Sequence, residues 1–144
     1  MNKIITFKLL FKATRDGDKL DIIHNKCDNK SVLIIIKTKK DIRFGGYSEI
    51  GFNDKGAQLN DRNAFVFSLD KKLIYTNNGN PAIYCEKSTF GFKNTIYVYD
   101  NFLTNNNSQV IGGCDHYLCK QYELNNGENK FSISEMEVFQ IKCD

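Results

Sequence analysis

The stretch Ser31–Ile50 reads SVLIIIKTKKDIRFGGYSEI and contains the clearest indication of the fold. Aliphatic residues follow one another from Val32 to Ile36, and a short apolar run rich in β-branched residues is typical of a strand buried on both faces. Lys40-Asp41 is a turn signal, and Ile42–Ile50 is predicted as a second strand. That strand contains Gly45-Gly46, and paired glycines inside a strand indicate a bulge or a close approach between backbones.

The rest of the chain is predicted to consist mainly of strands separated by polar loops. Near its start, apolar residues recur at every second position of Thr6–Lys12, which indicates a strand. Segments 53–63 and 70–81 are predicted as loops because polar and turn-forming residues crowd them. The other segments predicted as strands are Ala64–Leu69, Ala82–Cys85, Thr95–Tyr99, Tyr117–Leu124 and Glu135–Ile141.

One helix is predicted in Lys19–Cys27, where apolar residues and His24 recur at spacings of three and four. Asp18 is expected to cap this helix by accepting backbone N–H hydrogen bonds. Many short strands and one helix indicate a mainly β fold, a two-sheet β-sandwich flanked by one clear α-helix and short helical turns. A chain of 144 residues is expected to form a single domain, residues 1–144.

Composition and charge exclude several classes of partner. The formal net charge is only +3, and the basic cluster Lys37–Lys40 with Arg43 is interpreted as a solvated turn, so no nucleic-acid partner is expected. No stretch approaches the roughly 18 apolar residues of a membrane span, so membrane insertion is not expected. No leader pattern is present, and the cysteines are odd in number and irregularly spaced. Both features favour free thiols in a reducing cytoplasm.

A series of short motifs runs along the chain. Its members are Arg15-Asp16-Gly17, His24-Asn25-Lys26-Cys27, Phe44-Gly45-Gly46-Tyr47, Phe65-Val66-Phe67-Ser68-Leu69, Ala82-Ile83-Tyr84-Cys85 and Glu135-Met136-Glu137-Val138-Phe139. In this order, they resemble the TLDc family over most of the chain. The motif residues that the resemblance singles out, most of them expected to be structural, are Arg15, Asp16, Gly17, His24, Cys27, Phe44, Gly45, Gly46, Tyr47, Phe67, Tyr84, Cys85, Glu135 and Glu137.

The resemblance implies a β-sandwich flanked by short helices and a function in protein interaction. TLDc proteins are associated with resistance to oxidative stress and with binding the cytosolic sector of the vacuolar-type proton ATPase (V-ATPase), so that sector is the expected partner. No reaction is established for the family, and neither a cofactor nor a small-molecule substrate is expected. The sequence departs from the family at Phe52, in place of a tryptophan, and at Phe90–Asn94, in place of a glycine-rich turn. None of the usual companion domains (LysM, TBC, GRAM or EF-hand) is recognised, so a stand-alone domain is expected.

Soft metal ligands occur in two motifs. His24 and Cys27 share one face of the predicted helix, and Cys114, His116 and Cys119 follow further along the chain. A structural zinc site needs four ligands to converge. The periodicity of the helix instead favours core positions for His24 and Cys27, so no metal is expected.

The other candidates for chemistry also have structural interpretations. Cys85 ends an apolar strand and is expected to be buried rather than nucleophilic. Glu135 and Glu137 share a strand face, which favours a solvated surface or a charged contact with a partner over acid–base chemistry. Arg15-Asp16-Gly17 is interpreted as a turn in which the aspartate caps the helix and the arginine pairs with a carboxylate. Gly45-Gly46 lacks the following helix of a phosphate-binding loop, so no catalytic centre is predicted.

Two other functions stay open at the level of sequence. A thiol-based antioxidant enzyme would use one cysteine, and Cys114, Cys119 or Cys143 would be open to oxidation if exposed. A structural or accessory subunit of another large assembly, such as a cytoskeletal one, would need no chemistry. The enzyme requires an accessible thiolate, whereas the binding functions require an exposed recognition surface.

Overall fold

The computed structural model describes residues 3–77, 81–113 and 117–143. Within these ranges the strands, numbered in chain order, are β1 (Ile5–Lys12), β2 (Val32–Thr38), β3 (Arg43–Ser48), β4 (Ala57–Leu59), β5 (Phe65–Ser68), β6 (Leu73–Thr76), β7 (Ile83–Cys85), β8 (Thr89–Phe92), β9 (Ile96–Tyr99), β10 (Ser108–Val110), β11 (Lys130–Phe131) and β12 (Ile133–Cys143). They form two antiparallel sheets, a first sheet ordered β1-β12-β2-β3-β5-β6 and a second sheet ordered β11-β10-β9-β8-β7-β4. The predicted mainly β, two-sheet fold is confirmed.

The aliphatic strand β2 lies inside the first sheet, between β12 and β3. Its Val32, Ile34 and Ile36 side chains are buried, whereas Leu33 and Ile35 are half-buried. Successive side chains of a strand point to opposite faces of the sheet, so only one face of β2 enters the core. The prediction that β2 is buried on both faces is therefore wrong, because its second face is covered only in part.

The glycine pair in β3 permits two close contacts. A Cβ atom on Gly46 would lie 2.4 Å from Cζ of Phe92, which belongs to β8 in the second sheet. A Cβ atom on Gly45 would lie 1.8 Å from the carbonyl oxygen of Ile34 on β2. Carbon atoms in favourable contact lie about 3.5–4.0 Å apart, so neither position accepts a side chain without movement of its neighbours. The predicted close approach at Gly45-Gly46 is confirmed.

Aromatic rings join the two sheets. Phe44 of β3 packs edge to face on Phe131 of β11, with ring centroids 5.1 Å apart. Phe52 packs against Phe90 and Phe92 of β8, with centroids 4.7 and 5.6 Å apart. Such pairs contribute roughly 0.5–1.5 kcal/mol each beyond the burial of their area. Phe52, which replaces a tryptophan of the family pattern, is therefore a core aromatic residue.

Two helices of the described residues, α1 (Ala13–Asp16) and α2 (Leu20–Cys27), follow β1. The predicted amphipathic helix is α2, and it buries the four residues whose spacing predicted it. Helix α1 falls at the position where the sequence predicted only a turn.

The N-terminus of α2 is not capped by the residue that the sequence indicates. The backbone N–H of Leu20 donates to the carboxylate of Asp100, at 2.9 Å. The carboxylate of Asp18 instead accepts a hydrogen bond from the backbone N–H of Leu103, at 3.2 Å. The two aspartates therefore tie α2 and the segment after β9 together, and the prediction that Asp18 caps α2 is wrong.

Three predictions about loops and strands are also corrected. Strands β4 and β6 form within segments 53–63 and 70–81, which were predicted as loops, because each pairs with a strand already fixed in its sheet. Tyr117–Leu124 does not form a strand, and its last two residues belong to a 3-10 helix at Glu123–Asn125. Tyr122 has a left-handed φ of 55°, which regular strand geometry does not accommodate.

We predict that Gly46→Ala destabilises the protein by about 1–3 kcal/mol, the usual cost of overpacking a core. The cause is the collision of the new methyl group with the Phe92 ring. Urea unfolding of four variants in a double-mutant cycle, with Phe92→Leu as the second change, measures the coupling. The cost of Gly46→Ala should fall when the ring is removed, and an equal cost in both backgrounds would contradict the assignment.

Candidate functional site

Arg15-Asp16-Gly17 forms a closed set of local contacts at the end of α1. The carboxylate of Asp16 accepts hydrogen bonds from the guanidinium of Arg15, at 2.9 and 2.8 Å, and from the backbone N–H of Lys12, at 3.0 Å. Nζ of Lys26 lies 3.8 Å from the same carboxylate. The hydrogen bonds from Arg15, and next that from Lys12, hold the pKa of Asp16 well below its ordinary value. Arg15 pairs with a carboxylate as predicted, but no side chain of this motif caps α2.

His24 and Cys27 lie on the buried face of α2. His24 is 4% exposed, and neither of its ring nitrogens has a hydrogen-bond partner among the described residues. Its ring meets Phe90 edge to face, with centroids 6.2 Å apart. Burial raises the pKa of the Cys27 thiol to about 12. Both residues occupy the core positions that the periodicity of the helix predicts.

The remaining soft ligands do not complete a metal site in the described structure. Cys114 and His116 lie outside the described residues, and Cys119 is buried. Within residues 3–77, 81–113 and 117–143, no group of three or more His, Cys, Asp or Glu side chains is placed to hold a metal ion.

Cys85 lies at the end of β7 and is fully buried. Burial raises the pKa of its thiol to about 11, although the backbone N–H of Asn53 donates to its Sγ at 3.4 Å. Because the thiolate is the nucleophilic form, a thiol that stays protonated at neutral pH is a poor nucleophile. The prediction that Cys85 is buried is confirmed.

The first sheet presents an apolar surface on the side that faces away from the second sheet. Ile34, Gly46 and Val66 form one register row that points into the core, so the rows on either side of it point outward. One outward row consists of Leu9, Phe139, Leu33, Tyr47 and Phe65, and the other contains Ile35, Phe67 and Ile74. We call these residues the outer face.

An open cavity of about 410 Å³ lies at the β5–β6 end of the outer face. Ile74 is 66% exposed beside it, and the Tyr47 ring stacks on Phe65 with centroids 5.3 Å apart. Contiguous exposed apolar surface marks interaction sites on soluble proteins. The residues that line the cavity are Leu33, Phe65, Phe67, Ser68, Leu69, Lys72, Leu73 and Ile74.

Sequence reasoning missed the outer face because it treated β2 as doubly buried and β6 as a loop. The apolar pair Leu73-Ile74, directly after the turn that follows β5, was the signal for a further strand. Pairing of Ile74 with Phe67 then continues the apolar row to the edge of the sheet.

Comparison with protein families gives a match to the TLDc domain over residues 2–142. The chain belongs to the TLDc domain family. A comparison with curated proteins returns no match. In the described part of this TLDc domain, no helix combines the length and the apolar character needed to cross a membrane.

The Gly-Gly-Tyr motif of the TLDc domain is divided between the two faces of its sheet. Phe44 and Gly46 face the core, whereas Tyr47 belongs to the outer face. Phe67 also points outward, yet it is only 7% exposed. Its ring lies over Gly45, with Cζ 3.0 Å from the position of a Cβ atom there. Gly45 therefore lets a bulky aromatic ring lie flat on the outer face.

Glu135 and Glu137 have different surroundings in the TLDc domain. Glu135 accepts hydrogen bonds from the backbone N–H and the hydroxyl of Thr14, at 3.1 and 2.5 Å, which link β12 to α1. Burial opposes its ionisation, but the hydrogen bonds from Thr14 outweigh burial and lower the pKa of Glu135. Glu137 lies opposite Ile35 in the register of β12 and β2. Glu135 is thus held by a contact within the chain that sequence reasoning did not anticipate.

Tyr84 lies on the second sheet, on its side away from the core. Its ring centroid is 5.3 Å from that of Tyr97 and 5.5 Å from Nζ of Lys93. A hydrogen bond with Glu86, followed by burial, raises the pKa of Tyr84 to about 12. The phenol is therefore neutral at physiological pH.

We predict that Asp16→Asn makes stability less sensitive to acid. The native pKa of Asp16 is lowered relative to the unfolded value of roughly 3.9, so its carboxylate contributes stability that is fully present above about pH 5 and is lost as the pH falls towards the native pKa. Urea unfolding over this range should show a steeper loss for the wild type than for Asp16→Asn. Asp54→Asn, in an exposed loop, serves as the control and should follow the wild type; parallel curves for all three proteins would contradict the prediction.

We predict that alkylation by iodoacetamide distinguishes the thiols. In the native protein, exposed Cys143 should react at least about a hundredfold faster than buried Cys27 or Cys85, because a raised pKa and burial both suppress the reactive thiolate. Mass spectrometry of digests taken over time gives the rate for each site. In urea the sites should react alike, whereas rapid native labelling of Cys85 would restore the thiol-enzyme hypothesis.

Proposed function

We propose that this TLDc domain is a non-catalytic protein-interaction module that acts in the cytoplasm and binds the cytosolic sector of the V-ATPase. The outer face is the single observation that carries the proposal, since it is an apolar surface without a second layer over it among the described residues. Family membership supports the choice of partner, because TLDc proteins are associated with that sector. The free thiols of the described cysteines suit a reducing compartment.

The composition of the outer face suits a binding surface. Tyr47 and Phe65 form a stacked aromatic pair on the central strands, and aromatic residues dominate the binding energy of protein interfaces. The adjoining cavity of about 410 Å³ offers space for apolar side chains of a partner. The pair and the cavity together supply an anchor point and a pocket beside it.

The end of the outer face is charged, as the rim of an interface usually is. Glu135, Lys37 and Arg43 lie in register on β12, β2 and β3. Arg43 is paired with Asp70, with Nε and Oδ1 3.0 Å apart. These charges border the apolar rows, and Glu137 lies next to Ile35 at the β12 end of the second row. A partner can therefore bury the apolar rows from β2 to β6 while the charged rim stays in water.

A role in resistance to oxidative stress is then exerted through the bound partner and not through thiol chemistry. Cys27 and Cys85 are buried with raised thiol pKa values. A cysteine-based peroxide reductant needs an accessible thiolate. These two thiols therefore favour the binding function over the antioxidant enzyme, and Cys143 is the exposed thiol among the described cysteines.

We predict that Ile74→Asp weakens binding to the purified cytosolic sector of the V-ATPase by at least about tenfold, because it places a charge beside the apolar cavity at the β5–β6 end of the outer face. Binding of the immobilised chain, measured by surface plasmon resonance, gives the affinities. Leu118→Asp is the matched control, since Leu118 is 61% exposed, close to the 66% of Ile74, and lies outside the outer face.

Both variants should melt within a few degrees of the wild type, since both substitutions are at exposed sites. Equal affinity of the wild type and the two variants would remove the outer face from the proposal. Absence of binding by the wild type, together with recovery of a different assembly from lysate, would favour an accessory subunit of that assembly.

A further inference from the structure

A second cavity, of about 250 Å³, lies where the turn between β2 and β3 meets β11, and most of the residues that line it are polar or charged. Four separate parts of the chain contribute to it: the β2–β3 turn, the loop before β10, the segment around the 3-10 helix, and β11 with the residue after it. The lining residues are Thr38, Lys39, Lys40, Asn106, Asn125, Glu128, Lys130, Phe131 and Ser132. We call this cavity the lysine cleft.

Hydrogen bonds hold the walls of the lysine cleft in place. The backbone N–H of Lys39 donates to the carbonyl oxygen of Ser132, at 2.9 Å. Asn125 is only 3% exposed, and its amide donates to the carbonyl oxygens of Glu128 and Lys130, at 3.1 and 3.3 Å. The buried Thr38 hydroxyl accepts a hydrogen bond from the backbone N–H of Lys40, at 3.2 Å. The frame of the cleft is therefore built from fixed backbone and buried amide groups, whereas its lysine side chains are exposed.

The charge of the lysine cleft is predominantly positive. Nζ of Lys40 lies 2.9 Å from both carboxylate oxygens of Glu128, so this pair is close to neutral. Lys39 and Lys130 form no ion pair with any residue that the structure describes. Two cations thus lie at one cavity with no compensating anion among the residues that the structure describes. Lys130 extends the basic cluster of the sequence from a position some ninety residues away.

We propose that the lysine cleft binds an acidic segment of a partner protein through the carboxylates of its Asp or Glu side chains. The cavity lies below the roughly 300–1,000 Å³ typical of sites for drug-sized ligands, so one or two acidic side chains suit its size. Lysine ammonium groups attract such anions as mobile point charges, without the fixed bidentate geometry that arginine provides. Among the described lining residues, the one aromatic ring is that of Phe131, which is 4% exposed and offers no stacking surface for a nucleobase. This site goes beyond the proposed function, because it does not depend on the outer face or on the V-ATPase.

The test measures the affinity of the full chain for a fluorescent hexaglutamate peptide by anisotropy, with hexaglutamine as the neutral probe. The double variant Lys39→Glu/Lys130→Glu should bind hexaglutamate at least roughly tenfold more weakly than the wild type. The control Lys55→Glu/Lys87→Glu changes two exposed lysines outside the cleft by the same total charge. It should keep most of the affinity of the wild type.

A variant that should bind more tightly excludes unfolding as the cause of the result. Glu128→Gln removes the carboxylate of the cleft and should strengthen binding, while the control Asp54→Asn, with the same change in net charge, should strengthen it less. Equal losses in the two lysine variants, equal gains in the two carboxylate variants, or no binding of hexaglutamate by the wild type would each overturn the proposal.

Discussion

The contact between Gly46 and the ring of Phe92 fixes how the two sheets meet. The ring reaches the backbone of β3 only because Gly46 has no side chain, since a Cβ atom there would lie 2.4 Å from it. Phe52 packs on the same ring from another direction, and Tyr117 does so with a centroid distance of 6.0 Å. The aromatic packing between the sheets therefore requires a residue without a side chain at position 46.

This contact also determines which side chains of the first sheet face away from the second sheet. Once Gly46 faces inward, strand alternation requires Tyr47 and Gly45 to face outward, and the register carries the same choice to Leu33 and Phe65. A slip of one residue would exchange the buried and exposed rows. The apolar outer face is thus coupled to the core, because the strand pairing that buries Ile34 also places Leu33 and Ile35 on the outer face. The proposed binding function uses this face and requires no catalytic group.

The sequence predicts the parts of this fold that depend on local pattern. The aliphatic run of β2, the glycine pair and the spacing within α2 each contain their own signal. Contacts between distant segments carry no such signal, which is why the cap of α2 by Asp100 and the link from Glu135 to Thr14 were missed. The candidate surfaces were missed for the same reason. Ile74 belongs to the outer face because it pairs with Phe67, and the lysine cleft forms because Lys130 lies beside the β2–β3 turn.

We propose that the outer face of this TLDc domain binds a partner, and that this partner is the cytosolic sector of the V-ATPase. Hydrogen–deuterium exchange of the chain, alone and bound to that sector, tests this proposal. Strand β6 is an edge strand with exposed side chains, so its amides should exchange readily in the free chain. Binding should slow exchange most in peptides covering β5 and β6. Protection confined to the second sheet, with β5 and β6 unchanged in the complex, would contradict it.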